Sequence, residues 1–325
     1  MISTLLAQAI ELRRSLFDPA HESAFRLFNG FSEGNPDLAM DIYASTLVIH
    51  NYADDPTQNQ SSVQEAIDDL RNALSWLHAG VIKTRNGKTQ DEKRGQLIFG
   101  QKPDTRIKEH EVGYAVDLTM NRDAGFYLDT RGLRKWLIQN VHSKSVLNTF
   151  AYTGSLGVAA LAGGASRVVQ TDLNRQFLNL AKDSYSLNGF PIQKSDFIAQ
   201  DFFPMAARFK STKQLFDCVI IDPPFFSTTS KGKVDLVKES ARLINKVRPL
   251  IGDGGTLIAI NNAVYVSGRD YMQTLEELCK DGYLSLRELI PVPDDFIGNA
   301  SISPITDPAP FNHSTKIAVL DVKRK

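Results

Sequence analysis

The stretch SVLNTFAYTGSLGVAALAGGASRVVQTDLN, residues 145–174, decides the fold. Its apolar run SVLNTF suits a buried strand, AYTG a turn, SLGVAALAGG a helix and RVVQTD a second strand. Strand, crossover helix and strand in so short a span imply a right-handed unit with parallel strands. The alternation continues on both sides. LRKWLIQNV (133–141) is helical, and NRQFLNLAKDSYSLN (174–188) is a helix capped by Asn174 and stopped by Asn188-Gly189. SDFIAQ, FDCVIID, GTLIAI, LSLRELI and KIAVLDVK follow as strands, with helices between most of them. The expected fold class is α/β, a doubly wound, mostly parallel seven-stranded Rossmann-like sheet over residues 119–325.

A smaller α+β domain is expected over residues 1–118. Its first residues, MISTLLAQAIELRRSLFD, carry charges too early for a signal peptide and suit an amphipathic helix. SSVQEAIDDLRNALSWLHAG (61–80) reads as a helix with a Ser cap and a Gly stop, and VIKTR, GQLIFGQ and VGYAVDLTM as short strands. The chain has 37 basic and 37 acidic side chains, so no global field recruits a polyanion or an anionic membrane. The longest local excess, KTRNGKTQDEKR (83–94), fits a solvated hairpin loop and an RNA contact alike. The two cysteines lie far apart, without metal-ligand spacing, which excludes a zinc module and a disulfide framework. No run approaches the roughly 20 apolar residues of a membrane span. A cytoplasmic protein without metal, monomeric or homodimeric, is expected.

In doubly wound sheets ligands bind beyond the carboxyl ends of the strands. The first strand of the larger domain ends in NTFAYTGSLG, where Gly154 and Gly157 open a helix and offer close backbone approach. The glycine spacing of dinucleotide folds is missing, and Phe150 and Tyr152 stand where further glycines would be. That spacing argues against a nicotinamide dehydrogenase. Asp172 ends the second strand 18 residues after Gly154, where an acid accepts hydrogen bonds from ribose hydroxyls. Because Asn174 already supplies the helix cap, the ligand role is preferred. Asp201, after the third strand, either accepts from the amine of adenine with Phe202 against the ring, or is a loop acid beside core aromatics. Glycines, a ribose acid and an adenine acid without a pyrophosphate motif point to S-adenosylmethionine.

The fourth strand ends in FDCVIIDPPFFSTTS (216–230). Pro223 and Pro224 fix φ and remove two donors, leaving carbonyls at the strand tip free. Asp222 and such a carbonyl can hold a planar polar group while Phe225 or Phe226 stacks on it, and base stacking contributes about 1–3 kcal/mol. Cys218 lies inside the strand, where a thiol is an inert small hydrophobe.

Here VLNTFAYTGSLGVAALAGGASRVVQTDLN, NRDAGFYLDTRGLRKWL and DPPFF resemble class I S-adenosylmethionine-dependent methyltransferases of the large-subunit ribosomal RNA cytosine-C5/guanine-N7 group. The resemblance runs from AFRLFNGFSEGNPDLAMDIY to HSTKIAVLDV and covers most of the chain. It implies that Tyr127, Arg131, Phe150, Tyr152, Thr153, Gly154 and Leu173 bind the donor with Asp172, Asp201, Phe202 and Asp222. It also implies that Asp222, Pro223, Phe225 and Asn261 serve the acceptor. Two departures stand out. Many relatives begin with an RNA-binding PUA domain, whereas this chain starts at the central α+β domain. Cytosine-C5 members carry a nucleophilic cysteine after the fifth strand, where GTLIAINNAVYVSG offers Asn261 and Asn262. The expectation is methyl transfer to a guanine nitrogen of ribosomal RNA, leaving S-adenosylhomocysteine. The alternatives are a methyltransferase of a non-RNA substrate and a donor-binding RNA assembly factor without turnover. The Pro-rich segment 293–315 is a candidate lid.

Overall fold

The computed structural model describes residues 2–297 and 309–324. They divide into two compact units: the described residues of Met1–Leu128 and Pro293–Ile305, and those of Asp129–Val292 and Thr306–Lys325. Residues 119–128, expected with the larger domain, fall in the smaller unit.

The smaller unit contains α1 (Ile2–Leu12), β1 (Ala24–Asn29), α2 (Gly30–Glu33), β2 (Leu38–Tyr43), β3 (Thr46–Asn51) and α3 (Gln60–Ala73). It continues with β4 (Ala79–Thr84), α4 (Gln90–Arg94), β5 (Gln96–Phe99), β6 (Arg106–Glu109) and β7 (Val112–Ala115). One sheet runs β1-β2-β3-β4-β5, with only β3 and β4 parallel, because α3 crosses over between them. Leu6 and Ala9 of α1 and Val63, Ala66 and Leu70 of α3 share a core with Leu27, Met40 and Ile49.

Two expectations for this unit are corrected. The helix expected over 61–80 ends at Ala73: Leu74 leaves helical geometry with φ −122° and ψ 71°, and it and Leu77 stay in the core. Gly80 is a strand residue: the Phe99 ring occupies the space that a Cβ would take. The basic stretch 83–94 is not a plain loop. Thr89 and Glu92 form a capping box that starts α4, and Lys83 is buried.

The larger unit contains α5 (Arg131–Asn140), β8 (Ser145–Thr149), α6 (Ser155–Ala162), β9 (Arg167–Asp172), α7 (Arg175–Leu187), β10 (Phe197–Ala199) and α8 (Phe202–Ser211). Then come β11 (Phe216–Ile221), β12 (Phe226–Thr229), β13 (Gly232–Asp235), α9 (Leu236–Val247), β14 (Ile251–Asn261), α10 (Gly268–Cys279), β15 (Leu284–Ile290) and β16 (Lys316–Val322). The expected seven-stranded sheet is present in the order β10-β9-β8-β11-β14-β16-β15, and only β16 runs against its neighbours. From β8 the chain builds outward through β9 and β10, then returns to β11 and builds the other way. The reversal between β8 and β11 is the switch point at which such sheets bind ligands.

Burial on both faces explains why β11 reads as an apolar run from Cys218 to Ile221. Val219 and Ile221 pack with α8, α9 and α10, while Cys218 and Ile220 pack with α5 and α6. Of the candidate lid, residues 298–308 lie outside the described residues. Beside them, Asp294–Ile297 forms the short helix α11, and Asn312 exchanges two hydrogen bonds with Val292.

The smaller unit holds a buried two-pronged ion pair. Arg13 Nη1 and Nη2 donate to Glu33 Oε1 and Oε2 at 2.8 and 2.9 Å, with side chains only 4% and 5% exposed. Removing one member of a buried pair strands the other charge. Glu33→Ala is therefore expected to destabilise the protein by about 3–5 kcal/mol, read as a lowered urea midpoint.

Candidate active site

The parallel registers bring the ends of five strands together. Thr149 of β8 lies beside Thr171 of β9 and Ile221 of β11, Asp172 beside Ala199 of β10, and Ile221 beside Ala259 of β14. The turn after β8 bends sharply. Phe150, Tyr152 and Gly154 take φ of 55°, 50° and 79°. The two aromatic residues thus adopt the left-handed backbone that glycine would take freely, at a cost of roughly 1–2 kcal/mol each. Packing holds them there. The Phe150 ring stacks on Phe202 at 4.7 Å, and Tyr152 meets Phe177 edge-on at 4.5 Å.

Beneath this turn lies Gln170, fully buried on β9. Its Oε1 accepts from Asn148 Nδ2 at 2.9 Å, and its Nε2 donates to Gly154 O at 3.2 Å and Tyr185 Oη at 3.3 Å. A Cβ at Gly154 or Gly157 would run into this amide. Close approach to Gln170 accounts for both glycines, and nothing in the sequence singled Gln170 out.

Asp172 accepts from the Tyr152 N–H at 2.9 Å and the Asn174 N–H at 2.8 Å, and burial raises its pKa despite them. Asn174 caps α7 by accepting from Gln176 N, as expected, so Asp172 keeps its remaining lone pairs for a ligand. Asp201 caps α8 through the Phe203 N–H at 3.0 Å and accepts from Thr229 Oγ1 at 2.5 Å. Phe202 is buried against Phe150 and Phe203. Thr153 is buried, Arg131 is half-buried at the start of α5, and Leu173 is exposed. Tyr127 belongs to the smaller unit, where its Oη donates to Asp123 at 2.9 Å.

Asp222 follows the last residue of β11. It has no hydrogen bond or ion pair among the described residues, and burial, with the Asp129 carboxylate as a second cause, pushes its pKa up to about 7. Asp129 accepts from Thr315 Oγ1 at 2.7 Å. Asp129, in the Leu-Asp-Thr-Arg segment, lies 93 residues from Asp222, so no local pattern links the two acids. Asn262 Nδ2 donates to Pro223 O at 3.4 Å, and Asn262 Oδ1 is buried without a partner. Asn261, the expected acceptor-side residue, is buried and turned inward. Its Oδ1 accepts from Ala263 N at 2.9 Å and its Nδ2 reaches Leu236 O at 3.5 Å. The structure thus brings Asn262, not Asn261, to the Asp-Pro-Pro turn. Phe225 and Phe226 are exposed, and Phe225 lies 6.0 Å from the ring of Tyr265, itself 80% exposed.

Cys218 is fully buried, and burial pushes its thiol up to about 12, which removes it as a nucleophile at neutral pH. Among the described residues no cluster of three or more His, Cys, Asp or Glu could hold a metal, and no helix is long and apolar enough to cross a membrane. A half-buried acid with spare acceptor capacity, a glycine turn without phosphate spacing and a partnerless acid at the switch point fit a nucleoside ligand carrying an amino-acid tail.

The pattern of the S-adenosylmethionine-dependent methyltransferases matches residues 25–300, and the chain belongs to that family. It is similar to the ribosomal RNA large subunit methyltransferase I of Alteromonas mediterranea, 30% identical over 68% of this chain and 56% of that protein. The enzyme of the same name from Aeromonas salmonicida is 31% identical over 78% of this chain and 64% of its own length. The chain thus spans less than two thirds of these curated relatives. A protein described as an S-adenosylmethionine-dependent methyltransferase from Streptococcus mutans superimposes with a TM-score of 0.84 at 21% identity, covering 98% of this chain and 80% of that one. A methyltransferase-type structure in complex with S-adenosylhomocysteine has a TM-score of 0.86, also at 21% identity, with the same coverage.

The raised pKa of Asp222 makes a stability prediction. Between its ordinary value of 3.8 and about 7 the folded state keeps a proton that the unfolded chain has released. Its contribution to stability therefore declines as pH rises through that window. Asn cannot titrate, so Asp222→Asn is expected to gain stability over the wild type from pH 4 to pH 7 and to hold that gain above it. Paired urea titrations at pH 4 and pH 8 check this; an equal difference at both would contradict it.

Proposed function

We propose that this chain transfers a methyl group from S-adenosylmethionine to a base nitrogen of ribosomal RNA in the cytoplasm, with guanine as the favoured base. The observation that carries this reading is the partnerless Asp222 at the switch point, beside an Asn262 acceptor and exposed aromatic rings. The names of the curated relatives support the substrate class. The donor, when bound, supplies an electrophilic methyl group on a sulfonium.

Asp172 accepts from the ribose hydroxyls, and Asp201 uses its remaining lone pairs for the adenine amine. Thr153, Gly154 and Arg131 line the amino-acid end. On the acceptor side Asp222 and Asn262 hold the edge of the base, Pro223 stiffens the turn, and Phe225 covers the ring. A lone pair on a guanine ring nitrogen needs no covalent activation, and neither of the chain's two cysteines lies at these strand tips. Positioning and exclusion of water then supply the rate, an effect on the order of 7–11 kcal/mol. A paired target is flipped out first.

The test is incubation with labelled donor and ribosomal RNA from a deletion strain, followed by mass spectrometry of the nucleosides. Wild-type protein is expected to leave one methylated guanine. Asp222→Ala is expected to lose at least about 100-fold in transfer, the scale of a positioning error at the reacting atoms. It should bind the donor as before by calorimetry. Full turnover by Asp222→Ala, or label in protein or free nucleoside but not in RNA, would refute the reading.

A further inference from the structure

The β12–β13 hairpin starts where the Asp222 turn ends and is fastened to α8. Thr229 Oγ1 donates to Asp201, and Gly232 lies so close to the Phe203 ring that a Cβ would overlap it. Phe203 is also a wall of an open groove of about 490 Å³ between α8 and α9, lined further by Lys210, Arg242, Asn245 and Lys246. No acidic side chain lines it. Lys210 and Lys246 are exposed and have no ion-pair partner among the described residues. The Arg242 guanidinium lies over the Phe203 ring at 5.4 Å and shares its charge with Glu239 at 2.7 Å. On the hairpin itself, Lys233 Nζ lies over the exposed Phe226 ring at 5.1 Å.

This surface is rich in positive charge. Residues 202–213 and 231–249 together carry nine basic and two acidic side chains, in a chain whose totals are 37 and 37. The excess is larger than that of residues 83–94, yet it is split between two segments that only the packing of α8, the hairpin and α9 brings together.

We propose that this groove binds the phosphodiester backbone of single-stranded RNA flanking the target nucleotide, which the hairpin leads away from Asp222. The inference rests on the reading of the chain as an RNA-directed methyltransferase. Unpartnered lysines meet phosphates, and the exposed ring of Phe226 offers a face on which an unpaired base stacks. Duplex RNA would leave that face unused, because its bases are already stacked. An acidic peptide would use the lysines but not the ring.

The experiment is anisotropy of a labelled, unstructured RNA oligonucleotide against salt, with the full chain. The variants are the pairs Lys210→Gln with Lys246→Gln and Lys210→Glu with Lys246→Glu, and Lys280→Glu, an exposed lysine just after α10, as a charge control. Each single-strand phosphate contact contributes about 0.7 to the slope of log K against log salt, so the Gln pair should flatten it by about 1.4. The Glu pair should weaken binding at least about tenfold at 0.15 M salt, while Lys280→Glu leaves it unchanged. Donor binding by calorimetry should be the same in all four proteins. In methylation assays KM for RNA should rise in both pairs, with kcat at saturating RNA retained.

Wild-type slope and affinity in both pairs would overturn the groove and leave the RNA reading standing. An equal loss in Lys280→Glu would also overturn it, by reducing the effect to net charge, and so would equal affinity for duplex and single strand. Wild-type protein that neither binds nor methylates RNA would remove the functional reading and the groove with it.

Discussion

One buried amide sets the geometry on which the site depends. Gln170 cannot be left unsatisfied in a core that excludes water, so its surroundings are arranged to meet its hydrogen-bonding groups. Asn148 supplies the donor, Tyr185 and Gly154 the acceptors, and both glycines of the turn exist because any side chain would collide with the amide. The chain must therefore pass directly over Gln170 on leaving β8. That path forces the left-handed residues at 150, 152 and 154, delivers the Tyr152 N–H to Asp172, and presses Phe150 onto Phe202. The course of this turn is fixed by a contact beneath it.

The acceptor side follows the opposite logic. Where the turn after β8 is pinned by named hydrogen bonds, the ends of β11 and β14 leave groups unmet. Asp222 has no partner, Asn262 Oδ1 is buried and empty-handed, and the rings of Phe225, Phe226 and Tyr265 stand in solvent. Each omission costs stability. They come together at the ends of the neighbouring strands β11 and β14, an arrangement compatible with a polar, flat ligand.

Much of this was legible in the sequence because the larger unit repeats one pattern. Buried strands on both faces give apolar runs, crossover helices give period 3.6, and Asn174 is a cap wherever it stands. The strand-tip acids Asp172 and Asp222 followed from the rule that such sheets bind at their carboxyl ends. What escaped was set by contacts between distant residues. Gln170 looks like any polar residue in a strand until the turn is folded over it. Asn261 and Asn262 are chemically identical neighbours, and a shift of one position at the end of β14 exchanges the inward side chain for the outward one. Gly80 looked like a helix stop because the ring of Phe99, which explains it, comes from another strand.

The cationic groove has a consequence for how the molecule behaves before it touches anything. Because the chain as a whole is neutral and one face holds a large positive excess, the remaining surface is net acidic. Positive charge is concentrated at the groove while the chain as a whole carries none, so a polyanion feels little net pull from afar and is drawn only close to the groove. Low ionic strength, with its long Debye length, likewise lets the groove of one copy attract acidic surface of another. Salt therefore acts in two directions, loosening the grip on a polyanion and keeping free molecules apart in solution.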